Sequence, residues 1–266
     1  MDLGLRGRTA IICAASQGLG KATAEEFARE GVQVVICSRD RKRILASARR
    51  IRASVRGKSV SVVPVVADLT KARDIKKLVT TAVRKFGRID ILVTNAGGPP
   101  VGTFPELKDS AWEAGITLNL MSTIRCIREV LPYMQDWKWG RIINITSLTV
   151  KQPVDDLIIS STVRPGILGL TKVLANQYAK DGITFNNVAP GYIMTARQEE
   201  LSKARAKKRG MSVERFVLEQ SRDVPVRRYG SPSELASVIV FLASEKASYV
   251  NGTTISVDGG LVKGLF

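Results

Sequence analysis

Short apolar runs alternate with helix-patterned stretches along nearly the whole chain, and this alternation restricts its fold more than any other feature. Runs rich in Val, Ile, Ala and Cys are typical of strands that are covered on both faces. They are Thr9–Ala14, Val32–Ser38, Ser59–Val66, Ile89–Thr94, Arg141–Thr146, Thr184–Ala189 and Thr254–Val257. The stretches predicted to be helices are Leu19–Glu30, Asp40–Val55, Lys71–Phe86, Ser110–Gln135, Ser160–Lys180 and Ser231–Leu242. Such repeated alternation predicts an α/β fold with one doubly wound parallel sheet of about seven strands.

The chain shows no break that would divide it. No linker rich in Pro, Gly or Ser interrupts residues 1–266, so we expect a single domain. Residues 196–228, between the sixth strand and the last long helix, are polar, basic and helix-patterned. This stretch is long for a connection in a compact domain, and such excursions are usually functional. We therefore predict that 196–228 forms a helical lid.

The composition excludes several kinds of chemistry. The chain contains no histidine, which removes Ser-His-Asp and Cys-His catalysis and His-ligated zinc. Cys13, Cys37 and Cys126 are far apart and form no CxxC pair, so neither a metal site nor a disulfide framework is expected. Proton transfer must therefore use Tyr, Lys, Asp, Glu, a sugar hydroxyl or water.

The charge favours anionic partners. Lys and Arg number 41 against 24 Asp and Glu, a formal net charge of +17. Residues 39–58 carry nine basic side chains and one acid, and a second basic block spans 203–209. We interpret both as solvated helix faces, with specific anion binding as the alternative. Nucleic-acid binding is disfavoured because residues 39–58 include no aromatic platform.

The sequence also predicts where the protein resides. Its amino terminus has no hydrophobic signal core, and no apolar run approaches the ~18 residues that span a bilayer. We therefore expect a cytoplasmic protein that does not contact membranes.

A glycine-containing turn joins the first strand to the first helix. Its sequence, from Ala14 to Lys21, places glycines at 18 and 20. Glycines at such a turn let the backbone approach a pyrophosphate, which the helix N-terminus then holds. The turn predicts a dinucleotide site.

Further motifs follow this turn in order, and together they resemble the short-chain dehydrogenase/reductase family over essentially the whole chain. They are Ala67-Asp68-Leu69, Thr94-Asn95-Ala96-Gly97, Leu118-Asn119-Leu120, Pro190–Thr195 and Val257–Gly260. The likeness points broadly to 3-oxoacyl-thioester reductases, such as the 3-oxoacyl-acyl-carrier-protein reductases, and to sugar or polyol dehydrogenases. It implies a Rossmann-type domain, a nicotinamide cofactor and a homotetramer.

The resemblance also implies which residues contact the cofactor. They are Ala14, Ser16, Gln17, Gly18, Leu19, Gly20, Ser38, Arg39, Asp68, Leu69, Asn95, Ala96, Gly97, Arg164, Pro190, Gly191, Ile193 and Thr195. Ala14 stands where the family has its first glycine. An acid at the end of the second strand would accept hydrogen bonds from the adenosine ribose, but this chain has Ser38-Arg39. Since Arg39 can pair with a 2′-phosphate, NADP(H) is favoured and NAD(H) is the alternative.

The family's catalytic pattern is met only in part. The resemblance assigns Ser147 to the substrate carbonyl and Asn119 to a water of the proton relay. The family's Tyr lies thirteen residues after that Ser and its Lys four residues later, and these positions hold Ser160 and Arg164. None of the five tyrosines has Lys four residues later. A serine hydroxyl is a far weaker acid than a phenol, so Ser160 is a poor proton donor.

Several groups could replace the missing acid. Tyr192 follows the Pro-Gly turn, Lys151 lies four residues after Ser147, and Asp155, Asp156 and water are further alternatives. The favoured function is an NADP(H)-dependent oxidoreductase that moves hydride between nicotinamide and a carbonyl or alcohol through an atypical proton relay. The basic surface suggests an anionic substrate such as a 3-oxoacyl thioester. The alternative is a redox-inactive NADP-binding protein that acts as a sensor or assembly partner.

Overall fold

Seven parallel strands form one sheet in the structure, a computed structural model that describes residues 2–265. The strands are β1 (Thr9–Ile12), β2 (Gln33–Ser38), β3 (Val62–Val66), β4 (Ile91–Thr94), β5 (Gly140–Ile145), β6 (Ile183–Pro190) and β7 (Thr254–Val257). Their order is β3-β2-β1-β4-β5-β6-β7, so the winding reverses between β1 and β4. In the register, Ile12 lies beside Ile36 on one side and Val93 on the other. This confirms the doubly wound α/β fold.

Helices cover both faces of the sheet. They are α1 (Gly18–Arg29), α2 (Arg41–Ser54), α3 (Ala72–Phe86), α4 (Asp109–Gly115), α5 (Ser122–Asp136), α6 (Ile158–Val163), α7 (Pro165–Tyr178), α8 (Ala196–Lys208), α9 (Val213–Asp223) and α10 (Pro232–Leu242). Helices α1, α2 and α10 pack on one face around Phe27 and Leu235. Helices α3, α5 and α7 pack on the other around Leu78 and Phe185. Both faces are buried because successive strand side chains point to opposite sides.

Two helices predicted as continuous are interrupted. The predicted helix Ser110–Gln135 contains a π-helical segment, Ile116–Met121, in which the Asn119 side chain donates to the Gly115 carbonyl at 3.2 Å. The predicted helix Ser160–Lys180 divides at Arg164, because Pro165 has no N–H to continue the hydrogen-bond ladder and begins α7 instead. Both interruptions lie close to the cleft described below.

Residues 196–228 contain helices α8 and α9 and the segment that follows them. Thr195 caps α8 by accepting the Gln198 N–H at 3.2 Å, and Ser212 caps α9 by accepting the Arg215 N–H at 3.2 Å. No helix within residues 2–265 is both long and apolar enough to cross a membrane.

Candidate active site

The carboxyl ends of the strands open into a cleft of about 490 Å³. Residues that follow β1 through β6 line it, at the position where the winding of the sheet reverses. Doubly wound sheets bind their ligands at this position. Every predicted cofactor contact except Gly20 lines the cleft.

Gly20 has a packing role that the structure makes explicit. A Cβ atom at this position would lie 2.6 Å from the Ala14 carbonyl oxygen, so α1 could not approach β1 as closely. Gly18 has φ +58° and Ala14 has φ +48°, both in the left-handed region. Ala14 therefore adopts a conformation that favours glycine, and it holds the turn at some energetic expense.

The N-terminus of α1 points its first turn at the cleft. Gln17 precedes the helix in an extended conformation and makes no side-chain cap bond. The Ser47 hydroxyl, on α2, donates to the Ala15 carbonyl at 2.8 Å and braces the turn. Uncapped N–H groups at a helix N-terminus bind phosphate, so the turn suits a pyrophosphate.

The end of the cleft beside β2 and β3 is lined by Ser38, Arg39, Asp40, Arg43 and Asp68. Asp40 caps α2 by accepting the Arg43 N–H at 2.9 Å, and its other oxygen lies 3.3 Å from the Arg43 Nε. Burial raises the pKa of Asp68, but two hydrogen bonds from Thr70 and the positive charge of Arg39 lower it. The pKa of Asp68 therefore lies below its ordinary value. Arg39 is exposed and, unlike Asp40, takes no part in capping α2.

Loops after β4 and β6 form the opposite end. Gly18 and Thr195 approach each other across the cleft, since a Cβ on Gly18 would lie 3.6 Å from the Thr195 methyl. Gly191 packs against Asp258, whose Cα would be 2.7 Å from a Cβ there. The Pro-Gly turn and the carboxyl-terminal signature therefore contact each other.

Ser147 and Ser160 both line the cleft and are linked through Thr149. The Thr149 N–H donates to the Ser147 Oγ at 3.2 Å, and the Thr149 and Ser160 hydroxyls lie 2.9 Å apart. Ser160 and Thr149 are 4% and 3% exposed. The structure thus places three hydroxyl groups at the end of β5. The sequence gives no signal for Thr149, because its link between Ser147 and Ser160 depends on a contact with a residue eleven positions along the chain.

Arg164 is the most unusual charged group of the cleft. Its side chain is buried, and its Nη1 donates to the carbonyl oxygens of Ile145 and Thr146 at 3.4 and 3.1 Å. Among the described residues, none accepts a hydrogen bond from its Nε. Burial lowers the pKa of Arg164 to about 10. Within residues 2–265 no carboxylate pairs with this guanidinium, so a positive charge faces the cleft uncompensated.

Tyr192 also lines the cleft, with its ring centroid 5.5 Å from that of Tyr229. Burial raises the pKa of Tyr192 above its ordinary value, although the positive charge of Arg205 acts in the opposite direction. The structure therefore brings a protonated phenol into the same cleft as Ser147.

The other predicted catalytic groups lie outside the lining. Asn119 is buried, and its Oδ1 has no hydrogen-bond partner within residues 2–265. Lys151 is half-buried and does not line the cleft, and Asp155 is exposed. Asp156 pairs with Arg205 of α8 through bonds of 2.9 and 2.6 Å.

The cleft is positively charged at its substrate end. Arg197 and Arg205 of α8 line it together with Arg164, whereas its two lining carboxylates, Asp40 and Asp68, lie at the other end. The basic block at 203–209 was noted in the sequence, but only the fold shows that Arg197 and Arg205 reach the cleft.

Comparisons with known proteins agree over the whole chain. The family model described as Enoyl-(Acyl carrier protein) reductase matches residues 13–262. The 3-oxoacyl-[acyl-carrier-protein] reductase FabG of Thermotoga maritima is 36% identical over 258 residues, 97% of this chain and 99% of that protein. The D-beta-hydroxybutyrate dehydrogenase of Cupriavidus necator is 33% identical over 262 residues, with 97% and 99% covered.

Solved structures extend the likeness to three dimensions. The L-sorbose reductase of Gluconobacter frateurii, complexed with NADPH and L-sorbose, superposes with a TM-score of 0.94 and 33% identity over 100% of both chains. An actinorhodin polyketide ketoreductase variant with NADPH has a TM-score of 0.91 and 30% identity, with 97% and 98% covered. The glycine turn, the cleft where the winding of the sheet reverses, and these relatives together show that the chain belongs to the short-chain dehydrogenase/reductase family of oxidoreductases.

Proposed function

We propose that this protein is an NADP(H)-dependent oxidoreductase that interconverts a carbonyl and an alcohol. The observation that carries the proposal is one cleft that joins a phosphate-binding turn to Ser147, Tyr192 and Arg164. The residues present fit a dinucleotide: α1 has an uncapped N-terminus, and Gly20 permits close packing beneath the turn. The NADPH complexes of structural relatives support the same cofactor.

Arg39 and Arg43 would hold the adenosine 2′-phosphate, because both line the cleft beside Ser38. Asp40 cannot take the ribose-binding role of an acid in NAD-dependent enzymes, since its carboxylate caps α2 and pairs with Arg43. NADP(H) is therefore preferred over NAD(H).

A nicotinamide cofactor held in this cleft would supply hydride chemistry at the substrate carbon, and the protein would have to stabilise and protonate the carbonyl oxygen. In this proposal Ser147 donates a hydrogen bond to that oxygen, and Arg164 stabilises its negative charge. Ser160 and Arg164 stand at the positions of the family's Tyr and Lys, so the proton comes from elsewhere. Tyr192 is favoured because it lines the cleft, whereas Lys151 does not. Water is the alternative.

The local charge favours an anionic substrate among those that the relatives' names specify. The relatives' names specify 3-oxoacyl chains on acyl carrier protein, β-hydroxybutyrate and sorbose. Arg164, Arg197 and Arg205 line this end of the cleft, and although Asp156 pairs with Arg205, the excess of basic side chains favours the anionic members of this group, including 3-oxoacyl thioesters. Residues 196–228 would act as the lid, and we further propose a cytoplasmic homotetramer.

Single-turnover oxidation of NADPH with acetoacetyl thioesters and small ketones tests the proposal. Ser147→Ala should lower the rate by about 10²-fold or more, whereas Ser237→Ala, on the far helix α10, should leave it unchanged. Equal rates for the wild type and Ser147→Ala would contradict the assignment of Ser147.

The second candidate is a redox-inactive NADP-binding protein, and Ser160 favours it because a buried serine bonded to Thr149 is a poor acid. Ser160→Tyr combined with Arg164→Lys separates the two functions. If the wild type binds NADPH but reduces nothing, while the double variant gains activity, the inactive function is correct. If the wild type already reduces a substrate and the double variant gains little, the protein is an oxidoreductase whose proton comes from a group other than Ser160.

A further inference from the structure

One edge of the sheet carries most of the net charge of the protein. Residues 39–88 contain sixteen Lys and Arg, three Asp and no Glu, a net charge of +13, whereas the other 216 residues contribute +4. Fifteen of the sixteen cations are exposed, and Arg88 is half-buried. Within residues 2–265, ion pairs with acids engage Arg43, Arg73 and Arg88 among them. This edge therefore holds a large excess of exposed positive charge.

The fold gathers these cations around β3, the outermost strand beside β2. Helix α2 packs on one face of the sheet and α3 on the other. Arg52 of α2 donates from its Nε to the Val62 carbonyl at 3.1 Å. Lys77 of α3 donates to the Val66 carbonyl at 3.3 Å. Because Val62 and Val66 are the first and last residues of β3, cations from both helices meet along this edge.

Further exposed cations lie on the same sides of the two helices as Arg52 and Lys77. Residues three, four or seven apart share one side of a helix, so Lys42 and Arg49 lie beside Arg52. By the same spacing, Arg73 and Arg84 lie beside Lys77. We refer to these six exposed side chains as the basic edge: Lys42, Arg49, Arg52, Arg73, Lys77 and Arg84.

The side chains of this surface indicate what kind of partner fits it. Between residues 39 and 88, all of which the structure describes, Leu45 is the one large apolar side chain that is exposed. Stable protein interfaces are anchored by aromatic or apolar side chains, and helices that bind membranes insert an apolar face. A second copy of the chain would bring the same positive charge to the contact. A nucleic acid fits better, because its interfaces with proteins are polar and strongly positive on the protein side.

The same residues favour a duplex over a single strand. Proteins that bind single strands stack the bases on aromatic side chains, and residues 39–88 contain one aromatic residue, Phe86, which is half-buried. A duplex needs no such platform, since Lys and Arg hold its phosphates. Helices α2 and α3 have 14 and 15 residues, so each is about 21–23 Å long. That length spans about six base pairs of phosphate backbone.

We propose that the basic edge binds the phosphate backbone of double-stranded nucleic acid without reading its sequence. Arg52 and Lys77 also cover carbonyl groups of β3, and charged side chains at a sheet edge prevent pairing with another edge. That protective role does not require the other four cations. The inference stands apart from the proposed function, because none of the six side chains lines the cleft.

Fluorescence anisotropy of a labelled DNA duplex of mixed sequence tests the inference, with NADP⁺ at saturation so that phosphates do not enter the cleft. Wild-type protein should bind with a dissociation constant of about 1–100 µM at physiological salt. With about five phosphate contacts, the affinity should fall about 500-fold as salt rises from about 50 to 200 mM. A second duplex of different sequence should bind equally, and the matching single strand should bind more weakly.

Lys42→Glu combined with Arg49→Glu and Arg84→Glu removes three phosphate contacts and keeps the two bonds to β3. The slope of log affinity against log salt should become shallower by about 3, and the affinity at about 0.1 M salt should fall about 100-fold or more. If thermal unfolding shows that the triple variant does not fold, the three single variants replace it, each with a slope shallower by about 1.

Lys203→Glu combined with Lys207→Glu and Lys208→Glu is the matched control. These exposed lysines of α8 do not line the cleft, and the net charge changes equally. This variant should keep the wild-type slope. An equal loss in both triple variants, or no binding of the duplex by wild type at about 50 mM salt, overturns the inference.

Vesicles of equimolar phosphatidylserine and phosphatidylcholine, and poly-L-glutamate, are titrated in parallel at the same salt. Wild-type protein should bind both more weakly than it binds the duplex. If either binds more tightly, and loses affinity in the Lys42, Arg49 and Arg84 variant, the basic edge serves a membrane surface or an acidic protein, and the assignment to a duplex is wrong.

Discussion

Arg39→Asp should reverse the cofactor preference of this protein. Arg39 follows the last residue of β2, lines the cleft and is exposed, while the neighbouring Asp40 is engaged in capping α2. Losing a charge-assisted hydrogen bond to the 2′-phosphate costs about 1.5–3 kcal/mol. A carboxylate in place of the guanidinium repels the 2′-phosphate, which adds about 1 kcal/mol at an exposed site. The affinity for NADPH should therefore fall by about 60- to 700-fold.

NADH lacks the 2′-phosphate, so its affinity should change by no more than about 3-fold. Titration of both cofactors by nicotinamide fluorescence measures the two dissociation constants. Arg56→Asp is the control, since Arg56 is exposed just beyond α2, does not line the cleft and changes the net charge equally. An equal loss for NADPH and NADH, or an equal loss of NADPH affinity in both variants, would refute the assignment of Arg39.

Three further predictions concern the turn, the lid and the proton donor. Ala14→Gly should stabilise the protein by about 0.5–1 kcal/mol in urea unfolding, because φ +48° strains alanine more than the added freedom of unfolded glycine costs; destabilisation would contradict the strain. Asp156→Asn should speed amide hydrogen exchange in Ala196–Lys208, because it breaks the ion pair with Arg205, and NADPH with an acetoacetyl thioester should slow exchange there. Strong protection of this helix in both proteins, unchanged by ligand, would make 196–228 a fixed part of the fold rather than a lid. Tyr192→Phe should slow single-turnover reduction about 10²-fold. The wild-type rate should fall only at a pH above the ordinary titration range of tyrosine, since burial raises the pKa of Tyr192 and the donor must be protonated. A slow Lys151→Met variant beside an unaffected Tyr192→Phe would assign the proton to Lys151.

The sequence by itself determined the fold and pointed to most of the residues that line the cleft. Buried strands produce continuous apolar runs, and the turn before α1 needs residues that tolerate close packing and positive φ, so both leave signals within a few neighbouring residues. The predicted strands correspond to β1–β7, and the cofactor contacts that the resemblance predicts, from Ala14 to Thr195, line one cleft, apart from Gly20 beneath it. Ser147 was assigned by the family resemblance, which places a serine after the fifth strand.

Only the tertiary structure decided which groups these residues contact and which of them are buried. The 2.9 Å contact between Thr149 and Ser160, the pairing of Arg205 with Asp156 and the position of Lys151 outside the lining depend on packing between segments that are distant in the chain. The identity of Arg164 could be read from the sequence, but its burial without a carboxylate partner could not. Side-chain burial and charge compensation arise from all neighbouring segments at once, and no local pattern records them.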